Sequence, residues 1–360
     1  MLGTSKNDPD LFYATKFDAP DPVAAVSFGD GSVLLVVGDM ELGRARRTAG
    51  EGVRTETAGT LGLDVGSSAG PVAALRETLL REGVFSVDVG ENFPFGAAAD
   101  LERAGIEVRA AAASPFAKAR ETKTPAEIAA IRASQRAARA AERALGAALR
   151  ESEPDSRGRL VLDGAVLTSE RARKIVRETL LAHGTMDFDG TIVAGGLQAA
   201  DPHEQGHGPL LAGQTIVADI FPRSLSTGYW GDMTRTFHRG RLTPDLKKMR
   251  AAVAEAQKVG IEEVRPGATG AGVHAAVRAV FEKLGFRSGV DSTGRPYGFI
   301  HSTGHGVGLE IHEEPRLSPS GGPLRPGMVV TVEPGLYYPG VGGVRIEDTV
   351  LVVPSGREIL

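Results

Sequence analysis

Two apolar, β-branched segments near the C-terminus, MVVTVEPGLYY (328–338) and GGVRIEDTVLVV (342–353), read as strands. Each carries a glutamate, Glu333 or Glu347, where a buried side chain is expected. An ionised carboxylate buried alone costs several kcal/mol, so a cation must lie beside these strands. The segment just before them, HSTGHGVGLEIHE (301–313), brings His301, His305 and His312 within twelve residues. A matching pair of acids stands upstream, Asp219 in QTIVADIF and Asp232 in YWGDMTRTF. Four carboxylates gathered without a cation could not all stay ionised at neutral pH. Two divalent ions would balance them, and His305 would complete a set of oxygen and nitrogen donors suited to Mn²⁺, Co²⁺ or Zn²⁺. Such paired ions generate hydroxide near neutral pH, which is machinery for hydrolysis.

A chain of 360 residues exceeds what a single core usually serves, so two domains are expected, 1–120 and 121–360. In the first, Val23–Phe28 and Ser32–Val37 flank Gly29-Asp30-Gly31 as a hairpin, Asp39–Arg47 reads as a basic helix, and Pro71–Arg81 as an amphipathic one. Phe85–Val89 and Ile106–Val108 read as further strands, and Lys16, Asp64 and Glu91 as surface charges. The arginines Arg44, Arg46 and Arg47 fit a solvated helix face; the alternative is a cationic lip for an anionic substrate group.

The second domain opens on Thr124-Pro125-Ala126-Glu127, a capping box with proline at the first helical position. The helix it starts runs to about Arg150, and a loop or small hairpin over 154–164 leads to a second helix, Ser169–Ala182. Strands Gln214–Phe221 and Met233–His238 follow, with Asp219 and Asp232. The order then repeats: helices begin after Thr243 and Thr269, and strands bearing Glu333 and Glu347 close the unit. Two pseudo-equivalent halves facing their acids inward are the expected result.

The 301–313 stretch resembles the signature of the proline-specific dinuclear metallopeptidases, the prolidases and aminopeptidases P, and GDMTRTF, VEPGLYY and VRIEDT are similar to that family's other motifs in the same order. The resemblance implies an α+β chain: a small α/β creatinase-like domain (1–120) and a catalytic pita-bread domain (121–360). It implies Asp219, Asp232, His305, Glu333 and Glu347 as ligands of two divalent ions, Mn²⁺ foremost, with Glu333 also acting on the nucleophile's proton. His203 matches the family's substrate-side histidine, His301 and His312 its proline-side and proton-relay histidines, and Arg345 its substrate-site arginine. Gln198 replaces a usual asparagine and Asp219-Ile220-Phe221-Pro222 a usual Asp-x-Gly, so the pocket wall is expected to differ.

The implied activity is hydrolysis of an N-terminal Xaa-Pro bond in a small peptide with proline second, either by a dipeptidase or by an aminopeptidase on longer chains. A methionine-type aminopeptidase would not need the first 120 residues, and metal-free creatinase chemistry or a non-catalytic creatinase-fold binding protein would not keep every ligand. A net charge of −4 without a long basic run argues against nucleic acid. The absence of cysteine excludes thiolate ligands and disulfides, and with neither a signal pattern nor a long apolar run the expectation is a cytoplasmic protein away from membranes. A homodimer is expected by family resemblance. Of the other histidines, His183, His207, His238 and His274 read as structural, and Tyr229 and Trp230 as packing residues.

Overall fold

The computed structural model describes residues 1–62, 70–111 and 114–360; Asp64 lies outside them. The chain forms two compact units, Met1–Arg120 and Glu121–Leu360. In the first, strands β1 (Leu2–Gly3), β2 (Val23–Ser27), β3 (Val33–Val37) and β4 (Val53–Thr57) make one sheet in that order, with β3 and β4 parallel. Helices α1 (Pro9–Thr15), α2 (Leu42–Thr48), α3 (Pro71–Arg81), α4 (Phe95–Arg103) and α5 (Pro115–Glu121) accompany it, and β5 (Ser86–Val89) pairs in parallel with β6 (Glu107–Ala110). The β2–β3 hairpin turns where the sequence places it: Phe28 N–H donates to Ser32 O at 2.9 Å, and Gly31 takes a φ of +86° that favours glycine. Alternation puts Ala24, Leu34 and Val36 against Leu75, Leu79 and Leu101 of α3 and α4, while Ala25 and Leu35 meet Leu11 and Phe17 on the other face. Within the basic stretch, Asp39–Glu41 is a 3₁₀ turn and only Leu42–Thr48 is α-helix. Arg44 is engaged locally with Glu41, with the Asp18 carbonyl and with the Phe17 ring; Arg46 and Arg47 are exposed.

The second unit begins with α6 (Pro125–Glu151). Its capping box is formed at both ends: Thr124 Oγ1 accepts from Glu127 N–H at 3.3 Å, and Thr124 N–H donates to Glu127 Oε2 at 2.7 Å. Short strands β7 (Glu153–Pro154), β8 (Leu160–Leu162) and β9 (Ala165–Val166) form two hairpins before α7 (Ser169–Ala182). After β10 (Thr185–Met186), strands β11 (Ile192–Gly195), β12 (Thr215–Ile220) and, beyond β13 (Arg223–Ser224), β14 (Met233–His238) complete the half; β10 pairs with β13, and β11-β12-β14 is an antiparallel sheet. Ile216, Ala218, Ile220 and Met233 pack on Ala141, Leu145 and Leu149 of α6 and Val176 and Leu180 of α7. Because strand side chains alternate, Asp219 emerges with Val217 on the face turned away from those helices.

The second half repeats the plan. Helices α8 (Pro244–Glu263) and α9 (Gly270–Lys283), each capped by a threonine, precede the pair β15 (Gly289–Val290) and β16 (Pro296–Tyr297). The main sheet has the order β18 (Glu313–Leu317), β17 (Gly304–Gly306), β19 (Val329–Val332), β22 (Asp348–Val353), β23 (Gly356–Ile359), and β20 (Gly335–Tyr338) pairs with β21 (Gly342–Arg345). Val330, Val332, Val350 and Val352 pack with Val273 of α9, so Thr331 and Thr349 point to the opposite face. The two halves are joined there: Thr349 Oγ1 donates to Asp232 O at 2.9 Å, Thr236 Oγ1 to Arg345 O at 2.7 Å, and Glu347 N–H to Thr234 O at 3.0 Å. Among the described residues, no helix is long and apolar enough to cross a membrane.

Candidate metal centre

The inward faces of both halves converge on the acids singled out by the sequence. Asp232, His305 and Glu347, all buried, offer ligand atoms within 4.8 Å of one another. Glu333 joins them, with Oε1 at 3.1 Å from His305 Nε2, and Asp232 Oδ2 lies 3.7 Å from the same nitrogen. Asp219 and Glu347 meet at one hydroxyl, Thr234 Oγ1, at 2.9 and 2.7 Å. The structure thus brings all five proposed ligands together.

Local structure explains each placement. β17 runs between β18 and β19 so closely that a Cβ at Gly304 would overlap the Thr331 carbonyl, which is why this strand is glycine-rich around His305. Thr331 Oγ1 accepts from His305 N–H at 3.0 Å. The ring's Nδ1 faces the Gly306 carbonyl at 3.1 Å and so carries a hydrogen, which leaves Nε2 facing Glu333 and Asp232, a donor to them when protonated and a metal ligand when not. Asp232 is gripped from α6: Gln135 Nε2 donates to its carbonyl at 2.8 Å, and its N–H donates to Gln135 Oε1 at 3.0 Å.

The electrostatics show a donor set short of positive charge. Among the described residues, the ion pairs to these acids are Arg345 with Asp219 at 2.6 Å and the His305 imidazole with Asp232 and Glu333. Burial, reinforced by Glu347, Asp219 and Glu333, pushes the Asp232 carboxyl well above the usual range, and burial with Glu333 and Asp219 does the same to Glu347. Glu333 is desolvated too, yet the His305 hydrogen bond and charge, with His301 and Arg345, hold it down at about 2. Glu347 Oε1 is buried without a hydrogen-bond partner. An orphaned carboxylate oxygen, two acids pushed up by burial and by their neighbours and an imidazole nitrogen aimed at them fit divalent cations.

The remaining site residues surround this centre. His312 stands edge-on to His305, ring centroids 4.3 Å apart at 88°. Desolvation, then the neighbouring His305, lowers its pKa to about 4, so the ring is neutral at pH 7. His203 is exposed on the loop after Gly196–Ala200, its N–H donating to Asp201 Oδ1 at 3.0 Å, near enough that its charge acts on His301 and His312. His301 has both nitrogens engaged: Nδ1 with Ser302 O at 2.7 Å and Nε2 with the Tyr337 hydroxyl at 3.0 Å. That hydroxyl accepts from Arg345 Nη1 at 2.8 Å, so it donates to His301, and burial pushes its pKa to about 12.

Arg345, at 3% exposure, pairs with Asp219, and its guanidinium also meets Thr234 Oγ1, Tyr337 and the Pro202 carbonyl. Gln198 holds the backbone of His207 through two hydrogen bonds, at 2.8 and 3.0 Å. Tyr229 and Trp230 are buried, the tyrosine donating to Glu127 Oε1 at 2.6 Å and the indole to Leu309 O at 3.1 Å. His274 is buried and hydrogen-bonded to Thr303 Oγ1 at 3.0 Å.

Sequence reasoning missed Thr234, Thr331, Tyr337 and Gln135. A signal for the threonines was present: in MTRTF, VVTVE and EDTVLVV a threonine takes the inward turn of the alternation beside each acid.

Comparison with known proteins agrees with this geometry. Residues 129–354 match the model of Metallopeptidase family M24. An Xaa-Pro dipeptidase of Pyrococcus furiosus is 33% identical over 286 residues, 79% of this chain and 73% of that protein. An uncharacterized peptidase of Bacillus subtilis, YqhT, is 39% identical over 170 residues; the match spans 47% of this chain and under half, 45%, of that relative. The solved structure of an Xaa-Pro dipeptidase from Bacillus anthracis superposes with a TM-score of 0.81 at 25% identity, covering 98% of this chain and 90% of the other. The expected α+β, pita-bread architecture is borne out by these whole-chain likenesses. The chain belongs to metallopeptidase family M24.

Proposed function

We propose that this protein is a peptidase that hydrolyses the bond between an N-terminal residue and a following proline, with Xaa-Pro dipeptides preferred. The observation that carries the reading is the convergence of Asp219, Asp232, His305, Glu333 and Glu347 at the meeting of the two halves. Relatives named as Xaa-Pro dipeptidases support the proline preference, one of them by a likeness that includes the N-terminal unit, which a methionine-type enzyme would not need.

Two divalent ions, Mn²⁺ foremost, would be held by these five residues and supply a Lewis acid and an activated water. The chain's own groups do the rest. Glu333, held ionised, accepts a proton from the attacking water. His203 donates to the carbonyl oxygen as charge develops there. The proline nitrogen carries no hydrogen and must gain one to leave. His312, neutral at pH 7, accepts a proton and passes it to that nitrogen. His301, fixed by Tyr337 and Ser302, presents its ring to the proline. Arg345 orients Asp219 and Tyr337 through its guanidinium.

Preference for dipeptides requires a cation for the carboxylate directly after proline. Arg316, four residues beyond His312 on β18, fits: its ion pair with Glu314 is long at 3.8 Å, and its charge is felt at His312. Longer peptides replace that carboxylate with a neutral amide, and their cleavage is the second reading, aminopeptidase P. Initial rates on Ala-Pro, Ala-Pro-Ala and Ala-Ala with Mn²⁺ decide. Fastest cleavage of Ala-Pro supports the proposal, faster cleavage of the tripeptide favours the second reading, and equal cleavage of Ala-Ala overturns both.

A further inference from the structure

We propose that the buried Lys123–Glu313 ion pair is a positioning device that holds the turn 307–312 so that His312 faces the centre. The proposal rests on the reading of His312 as the proton carrier. Lys123 Nζ lies 2.7 Å from Glu313 Oε1, with the side chains only 2% and 7% exposed, although 190 positions separate them. Replacing such a pair by apolar residues is often neutral for stability, so its presence is better explained by what it orients than by what it stabilises.

Glu313 follows His312 directly and closes the turn. Its Oε2 lies 3.4 Å from the Glu310 amide, and its carboxylate presses on Gly308, where a Cβ would overlap it. Gly308 N–H donates to Glu310 O at 3.1 Å. The opposite side of the turn is pinned by Trp230, whose backbone N–H donates to Gly308 O at 2.9 Å and whose indole donates to Leu309 O. Lys123 is itself anchored, its N–H donating to Gly327 O at 2.9 Å just before the α6 capping box. Lys123, just before α6, and Gln135, within it, therefore tie this part of the chain to the turn bearing His312 and to Asp232. Without the ammonium, the buried Glu313 carboxylate loses its cation and moves toward water, and the turn loses its closure.

The test is a double-mutant cycle on the metal-loaded enzyme with Ala-Pro as substrate. Lys123→Met is expected to lower kcat about 10- to 100-fold, in line with the cost of a misplaced catalytic group, with metal content kept and KM within about threefold. Lys123→Arg, which keeps the charge, is expected to recover part of the loss. His312→Ala combined with Lys123→Met is expected to be no slower than His312→Ala alone. If Lys123→Met does not fold, the apolar pair Lys123→Met/Glu313→Met carries the test, and it is expected to fold yet stay slow. Wild-type kcat in the folded variant, or losses that multiply in the double variant, overturn the positioning role. Wild-type kcat in His312→Ala overturns the reading beneath it and the proposal with it.

Discussion

Replacing Thr234 by valine keeps the side chain's shape and removes one hydroxyl. Thr234 is fully buried, and its oxygen sits 2.9 Å from Asp219, 2.7 Å from Glu347 and 3.2 Å from Arg345 Nε. A hydroxyl has a single hydrogen, so it donates to one carboxylate while accepting from the guanidinium. Valine removes both bonds; the one to a charged acceptor alone is worth about 1.5–3 kcal/mol, and its loss frees both carboxylates to turn. If that loss falls wholly on the metal-loaded state, affinity weakens about 10- to 150-fold, near the range typical for residues that orient metal ligands. The assay is calorimetric titration of metal-stripped protein with Mn²⁺, with thermal unfolding alongside to verify the fold. Affinity within about threefold of the parent in a folded variant would refute the idea that this hydroxyl aligns the two halves' acids.

The metal-free protein should respond to pH through the acids that burial raises. A carboxylate with a raised folded pKa stabilises the fold below its unfolded value, about 4, and loses that contribution as pH climbs through the folded value. Glu347→Gln should therefore gain Tm relative to the metal-free parent as pH rises from 4 upward; a difference that stays flat with pH contradicts the cause assigned to the shift. Gln135→Ala leaves the Asp232 amide without its partner, while the carbonyl keeps Thr349 Oγ1, so a destabilisation of about 1–3 kcal/mol and weaker metal binding are expected, and unchanged melting would show that another group replaces it. His312→Ala should retain metal while kcat falls about 10²–10⁴-fold; metal loss, measured by elemental analysis, would instead make His312 a ligand.

Much of this was legible in the chain because the signals are local. Thr124-Pro125-Ala126-Glu127 announces α6 by chemistry confined to four residues, and the apolar spacing along α6 to α9 fixes which face packs. Asp219, Glu333 and Glu347 stood out because a carboxylate in an apolar run is costly, whatever the fold. The residues that escaped act through partners distant in sequence. Gln135 reaches Asp232 from 97 positions away and Lys123 reaches Glu313 from 190, distances at which periodicity carries no information. Tyr337 and Tyr338 are neighbours in one strand, and only the fold decides that the first points to His301 and Arg345 while the second meets the Arg287 carbonyl. Arg345 was legible by its resemblance to the family's arginine, but its partner Asp219 is on the other half, where the fold sets the pairing.

The most direct test of the central claim is hydrolysis of Ala-Pro by metal-stripped protein as Mn²⁺ is added back. The arrangement of Asp219, Asp232, His305, Glu333 and Glu347 predicts almost no turnover without metal and a rise that saturates at about two ions per chain, four carboxylates against four positive charges. Full turnover in the presence of chelator, or two ions bound with no cleavage of Ala-Pro, would contradict it.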